Sequence, residues 1–305
     1  MEEEIRIEPV TTQEGFRACE DIQRAAWQME GDDEVVPDHM LRAVQHYGGV
    51  LLGAYTPEGQ MVGFVCGFIG RTEDEELARL MGTRFLHYSH MMGIHPDYQG
   101  RSIGARLKRE QRKHALKQGH RLMMWTYDPL LGPNAYLNVE KLGVICRRYV
   151  RDAYGDLEGI YLGLPTDRFE IEWWIASRYV QDRLAGSVDR MSLSEWRKMG
   201  AQAVNPSVLR SDGLRAPGTP ADKPDAHVLL VEIPGDFNAV REANMELARD
   251  WRLHIREVCE AAFEAGYVAS RFVSEVAGGE RRNFYVLRQD VDFITPAEGR
   301  EDHED

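Results

Sequence analysis

Residues 89–119 read SHMMGIHPDYQGRSIGARLKREQRKHALKQG, in which a strand, a glycine-bearing loop and a basic helix follow one another. Met91, Met92 and Ile94 are strand-compatible apolar residues. Pro96 ends that strand, because it has no N–H for a ladder bond and a fixed φ. Gly100 and Gly104 bracket a tight loop, and from Ala105 neither proline nor glycine recurs until Gly119, which predicts a helix of about four turns. The start of such a helix carries unpaired N–H groups and a partial positive charge, both suited to a phosphate. Tyr98 to Arg121 holds eight Lys or Arg residues against the single acid Glu110. A charge run of this kind is usually a solvated helix face. Its place directly after a glycine loop favours an anion site.

The surroundings bound the reading. A chain of 305 residues can bury a substantial core, and 43% hydrophobic with 29% charged residues is ordinary globular composition. The net charge of −13 argues against general affinity for nucleic acid. Cys19, Cys66, Cys146 and Cys259 show no CxxC spacing, so neither a zinc site nor a disulfide framework is expected, and no metal is assigned. No apolar run approaches a membrane span, and MEEEIRIEPV lacks the features of a signal peptide. A cytoplasmic protein without membrane association is expected.

Upstream, Glu4–Val10 predicts a strand and Thr11 or Thr12 the cap of a helix to about Gln28, stopped by Gly31 and Asp32. A second helix is predicted from Pro37 to the Gly48-Gly49 pair. Gly49–Tyr55 and Met61–Ile69 form a hairpin across Thr56-Pro57-Glu58-Gly59, and Arg71–Arg79 reads as a charged loop. Downstream, His120–Tyr127 is a strand, Asn134–Leu142 a helix broken by Gly143, and Val144–Tyr149 and Gly159–Leu164 are strands.

The order β-α-α-β-β-β-α-β-α-β resembles the GCN5-related N-acetyltransferase (GNAT) superfamily over roughly residues 4 to 164. Gln99-Gly100-Arg101-Ser102-Ile103-Gly104-Ala105 matches the Q/R-x-x-G-x-G/A signature, except that Ser102 stands at the first signature glycine. His95-Pro96-Asp97-Tyr98 and Lys141-Leu142-Gly143 are similar to the family as well. The resemblance implies an α/β (α+β) fold with a mixed, mostly antiparallel sheet flanked by helices, and an acyl-CoA co-substrate, acetyl-CoA by default. It implies that Gln99, Gly100, Arg101, Ser102, Ile103, Gly104 and Ala105 hold the pyrophosphate. Met92, Gly93 and Ile94 would lie along the pantetheine arm, with Gly93 allowing a bulge or close approach. Asn134 would contact the cofactor further down, and its alternative role is an N-cap. If position 102 needs a positive φ, Ser102 is strained; otherwise its hydroxyl is free to donate to a phosphate.

Many relatives place an acidic tyrosine where this chain has Val139, so Tyr149 is the expected substitute, ahead of Tyr136 and Tyr154. For the base, His87, Ser89, His90 and Asp128 are candidates, and His90 is chosen because histidine titrates near neutrality. Arg147, Arg148 and Arg151 form a second basic group, in which Arg147 and Arg148 suit a carboxylate on the substrate, unless they serve as surface ion pairs.

The division expected is a GNAT-like domain over 1–164, a smaller α+β lobe over 165–298 and an acidic tail over 299–305. In that lobe Phe169, Ile171, Trp173 and Ile175 alternate on one strand face, and Ser192–Glu195 has capping-box spacing. A Pro/Gly-rich loop spans 204–226. Then come a strand at His227–Ile233, one long helix at Phe237–Glu264, and a strand pair across Gly278-Gly279. The expected activity is acyl transfer to a small-molecule amine, with succinyl-CoA and an amino-acid acceptor kept open and a homodimer allowed. The alternative is a non-catalytic CoA-binding or regulatory protein.

Overall fold

The structure is a computed structural model that describes residues 4–29, 35–155, 163–220 and 226–297. The acidic tail, the helix stop at Gly31 and Asp32, and all but the last two residues of the strand at Gly159–Leu164 lie outside these. The chain divides into two compact units; among the described residues one runs to Trp125 and the other starts at Thr126.

The first unit is a twisted sheet with helices on both faces. Its strands are β1 (Arg6–Pro9), β2 (Val50–Tyr55), β3 (Met61–Arg71), β4 (Phe85–Ile94) and β5 (Met123–Tyr127), whose last two residues already belong to the second unit. They pair in that order, antiparallel except for β4 with β5. Alternation sorts the core. Leu51, Phe64 and Cys66 pack beneath α1 (Gln13–Trp27) and α2 (Asp38–His46), while Val50, Leu52 and Val65 pack against Ile103 and Leu107 of α4 (Ile103–Lys117). Thr12 caps α1 by accepting from Gly15 N–H at 3.1 Å, as its sequence promises.

Arg71–Arg79 is a correction. The segment contains the start of α3 (Glu75–Met81), capped by Asp74, which accepts from Leu77 N–H at 2.9 Å, and closed by Gly82 at φ +72°. The acids Glu75 and Glu76 in its first turn and Arg79 in its last complement the helix dipole, so the charges that read as loop are helix-end chemistry.

The second unit holds α5 (Gly132–Ala135), which runs directly into a π-helical segment, Tyr136–Leu142, ended by Gly143 at φ +74°. Its sheet has the order β7 (Arg168–Trp173), β6 (Ile145–Val150), β12 (Val268–Ala277), β13 (Glu280–Arg288), β11 (Val228–Ile233) and β8 (Gln202–Ala203). A two-stranded ribbon of β9 (Val208–Leu209) and β10 (Arg215–Ala216) lies within the Pro/Gly-rich loop. Phe169, Ile171, Trp173 and Ile175 are all fully buried, in line with their alternation. Ser192 and Glu195 close the capping box of α7 (Leu193–Lys198), which follows α6 (Arg178–Leu184). The long helix at Phe237–Glu264 is two helices, α8 (Phe237–Ala243) and α9 (Met245–Glu264). Asn244, at φ −156° and ψ 97°, ends one and caps the other by accepting from Leu247 N–H at 2.9 Å. An asparagine side chain that can replace a helical hydrogen bond makes this break cheap.

Candidate functional site

The site in the first unit starts on β4. Between the pairs Cys66↔Met91 and Phe68↔Tyr88 the register slips, so Ser89 and His90 together face one residue of β3. This is a β-bulge, and it reverses the alternation along the strand. Before it, His87 and Ser89 point toward α4; after it, Met92 and Ile94 do, while Met91 packs with the α1 cluster. Gly93, expected at a bulge or a close approach, is regularly paired with Phe64. Its close approach is to α1, since an added Cβ would stand 3.0 Å from Ile22 Cγ2 and 3.2 Å from Phe64 Cε1.

Beyond Ile94 the chain makes one 3-10 turn, Pro96–Tyr98, and enters the loop. Gly100 takes φ +77° and Ser102 φ +60°, ψ 12°. Two left-handed residues within three fold the backbone tightly over the start of α4, leaving Ile103, Gly104 and Ala105 to begin the helix. Ser102 makes no side-chain cap, so its hydroxyl does not compete for these N–H groups. Position 102 therefore requires positive φ, and the serine is strained. Gln99 braces the loop by donating to Ile94 C=O at 3.3 Å. Arg101 Nη2 donates to Asp97 C=O at 3.0 Å and lies over the Tyr98 ring at 4.7 Å, exposed. Arg106 donates to the C=O of Ile5, the residue before β1, and so ties α4 to the start of that strand.

The basic helix is not uniformly solvated. Lys108 is buried; its ammonium donates to Ser89 Oγ at 2.7 Å and stands 3.7 Å above the Trp125 ring. Ser89 Oγ donates to Gln111 Oε1 at 2.8 Å, and Gln111 Nε2 lies 3.2 Å from His87 Nε2. No carboxylate pairs with Lys108 among the described residues, and burial lowers its pKa well below the ordinary lysine value. Burial, then the charges of His120 and Lys108, push His87 down to about 3. His87 and Ser89 are thus parts of a closed internal network. The inward turn of Lys108 was readable from the stripe Ile103, Leu107, Gln111, Ala115, to which position 108 is adjacent on the helix. His90 is on the opposite side of β4, exposed, with ring centroids 5.8 Å from Phe68 and 6.4 Å from Tyr88.

The remaining expected residues belong to the second unit. Asn134 is exposed and inside α5; the N-cap is Leu131, so a capping role is excluded. Tyr149 donates its hydroxyl to Asp167 Oδ2 at 2.9 Å, and Arg256 clamps the same carboxylate at 2.7 and 2.8 Å. Burial opposes the charge of Asp167, but hydrogen bonds from Arg256, Asp152 N–H and Tyr149 prevail and hold its pKa below the usual carboxylate range. Burial and that carboxylate raise the Tyr149 pKa, so its proton is committed to Asp167. Asp128 is fully engaged by Arg252 at 2.8 and 2.5 Å, both side chains buried, and by Leu130 N–H at 2.9 Å. Arg147 donates to Glu172 at 2.7 Å, Arg148 stands 3.6 Å from Glu170, and Arg151 forms a bidentate pair with Glu260. The second basic group is thus a set of ion pairs, with two of the three acids on β7 and one on α9.

A cavity of about 900 Å³ in this unit is lined by Gly132, Tyr136, Asp236, Phe237, Glu280 and Asn283, among others, and no sequence signal announced it. Among the described residues no group of three His, Cys, Asp or Glu side chains could hold a metal ion, and no helix is long and apolar enough to cross a membrane.

Comparison with known proteins gives the loop its context. Solved structures similar to this chain include NAA60 of Arabidopsis thaliana in complex with acetyl-CoA (19% identity, 56% of this chain and 98% of that one, TM-score 0.46). They also include yncA, a putative acetyltransferase of Salmonella typhimurium with acetyl-CoA (17%, 56% and 94%, TM-score 0.43), and the ribosomal-protein-S18-alanine N-acetyltransferase of Escherichia coli (16%, 56% and 94%, TM-score 0.41). No curated protein matches. The model of the acetyltransferase (GNAT) family matches residues 16–136, a span that contains β2, β3, β4, the loop at 99–105 and α4, and this part of the chain is a GNAT acetyltransferase domain.

Proposed function

We propose that the chain is an acyl-CoA-dependent N-acyltransferase, with acetyl-CoA as the default donor and a small-molecule amine as acceptor. The carrying observation is the loop after β4, where Gly100 and Ser102 in left-handed conformation turn the backbone over the first N–H groups of a 15-residue helix inside the family-matched span. In this reading the pyrophosphate sits at the N–H groups of residues 102–105, with Gln99 and Arg101 beside them, and Met92, Gly93 and Ile94 run along the pantetheine arm.

The amine must be neutral to attack the thioester, and His90 is the group we assign to accept its proton, directly or through water. It is exposed and lies in the bulge, where the interrupted pairing frees backbone groups of β4. Tyr149 is not carried into the reading, since an acid must release a proton that here is bound to Asp167. The thiolate then takes its proton from solvent or from the amine itself.

The test is release of free CoA from acetyl-CoA and succinyl-CoA across a panel of amines. Turnover with at least one amine is expected, with His90→Ala lowering kcat about 10²-fold at unchanged CoA affinity and Tyr149→Phe close to wild type. CoA binding without turnover of any donor would instead support a non-catalytic CoA-binding protein, the reading favoured by the strain at Ser102 and by Val139 where relatives carry tyrosine.

A further inference from the structure

The face of the second sheet that carries α6 and α7 gathers hydrogen-bond donors with too few acceptors. Arg271 on β12 and Arg183 on α6 pair with one carboxylate, Glu140 of the π-helical segment, and Arg288 on β13 stands close enough to both arginines to be repelled by them. Glu140 is buried and saturated. It accepts from Arg183 Nη1 at 3.1 Å, from Arg271 Nε and Nη2 at 3.2 and 3.1 Å, and from Phe272 N–H at 3.3 Å. Arg271 Nη2 also donates to Asp189 C=O at 2.8 Å, and Arg288 Nε to Ser270 Oγ at 2.9 Å. Two guanidinium charges thus share one carboxylate charge, with the third, Arg288, beside them. Glu275, on the same strand, accepts from Leu193 N–H at the start of α7.

Two further observations point to a missing acceptor. Arg183 Nε and Trp196 Nε1 are buried N–H groups with no hydrogen-bond partner among the described residues. The Trp196 ring centre is 5.9 Å from the guanidinium carbon of Arg271 and 6.0 Å from that of Arg288, so the orphan indole belongs to the same group. Burial, and then repulsion from Arg271, lowers the pKa of both Arg183 and Arg288, with the Tyr179 hydroxyl opposing the shift. Arg288 is half-buried, which leaves the group an approach from solvent. Uncompensated buried charge and orphan donors are both costly, and one ligand removes both costs.

We propose that Arg183, Arg271, Arg288 and Trp196 form a binding site for a small oxyanion, the carboxylate or phosphate group of a metabolite. The guanidinium forks match either group, and the indole N–H supplies a neutral donor beside them. The proposal concerns the second unit alone and does not rest on the acyltransferase reading.

The experiment titrates the full chain with sodium phosphate or sodium succinate, against sodium chloride at matched ionic strength. Thermal unfolding and the indole N–H resonance of Trp196, assigned through Trp196→Phe, are followed together. At least one of the two anions is expected to raise the unfolding temperature beyond the chloride control and to shift the Trp196 resonance; which arm responds separates phosphate from carboxylate. In Arg288→Gln the Trp196 response should be lost, while the anion-free unfolding temperature stays equal or rises. Phosphate can also occupy the loop at 99–105, which raises stability without touching Trp196. A Trp196 resonance unmoved by either anion, or one that moves equally in Arg288→Gln, overturns the proposal.

Discussion

At Ser102 the chain gives up backbone comfort at the residue that shapes its anion loop. A non-glycine residue in the left-handed region costs roughly 1–2 kcal/mol, and no side-chain cap offsets it. Ser102→Gly is therefore expected to stabilise the protein by about 1 kcal/mol, visible as a higher unfolding temperature, with CoA affinity held within about twofold by titration calorimetry. A large loss of CoA affinity would instead make the hydroxyl a phosphate ligand. The departure from the family signature was legible as a residue, but its conformation was not, because the same letters fit a relaxed or a strained loop. The fates of Tyr149, Asp128, Arg147 and Arg148 were less legible still. Each depends on a partner far along the chain, Asp167, Arg252, Glu172 and Glu170, and sequence spacing carries no trace of such meetings.

Among the elements, those with local signals came through. The caps of α1 and α7, the hairpin β2–β3 and the alternation of β7 all rest on residues within a few positions of one another. The misreadings have local reasons too. The acids and bases of α3 looked solvated because a 7-residue helix leaves little apolar stripe to detect, and Asn244 could be either a polar surface residue or a break.

Helix α4 carries the clearest element-scale consequence. Burial holds the Lys108 pKa well below the ordinary lysine value in the folded state, whereas in the unfolded chain it protonates below about pH 10.4. Unfolding then takes up a proton, so stability rises with pH from the depressed folded pKa up to about 10.4 and is flat above it. Lys108→Met, close in length and apolar, is expected to raise the unfolding temperature by a few degrees at pH 7. That gain should shrink as the pH approaches 10. A variant less stable than wild type at pH 7 would mean that the ammonium stays charged over Trp125.

Over the whole molecule the two units are stabilised by different means. The first is built on apolar layers to either side of its sheet, sorted by alternation. The second threads arginine–carboxylate pairs through its interior, Arg252 with Asp128, Arg256 with Asp167, and Arg183 and Arg271 with Glu140. Such pairs are weak sources of net stability but expensive to break singly. Arg252→Met is expected to cost about 3–5 kcal/mol in chemical denaturation, and the double variant Arg252→Met/Asp128→Leu to recover most of it. If the double variant were as unstable as the single one, Arg252 would act through something other than its charge.

The bulge at Ser89–His90 reaches beyond chemistry into how this chain can be compared with others. One extra residue puts the two halves of β4 in opposite phase, so a chain that lacks the bulge must be aligned to this one with a gap inside the strand. Run through without that gap, an alignment equates inward positions with outward ones over half of β4. His90 would then be matched to a core position, and the residue most worth testing would look like packing.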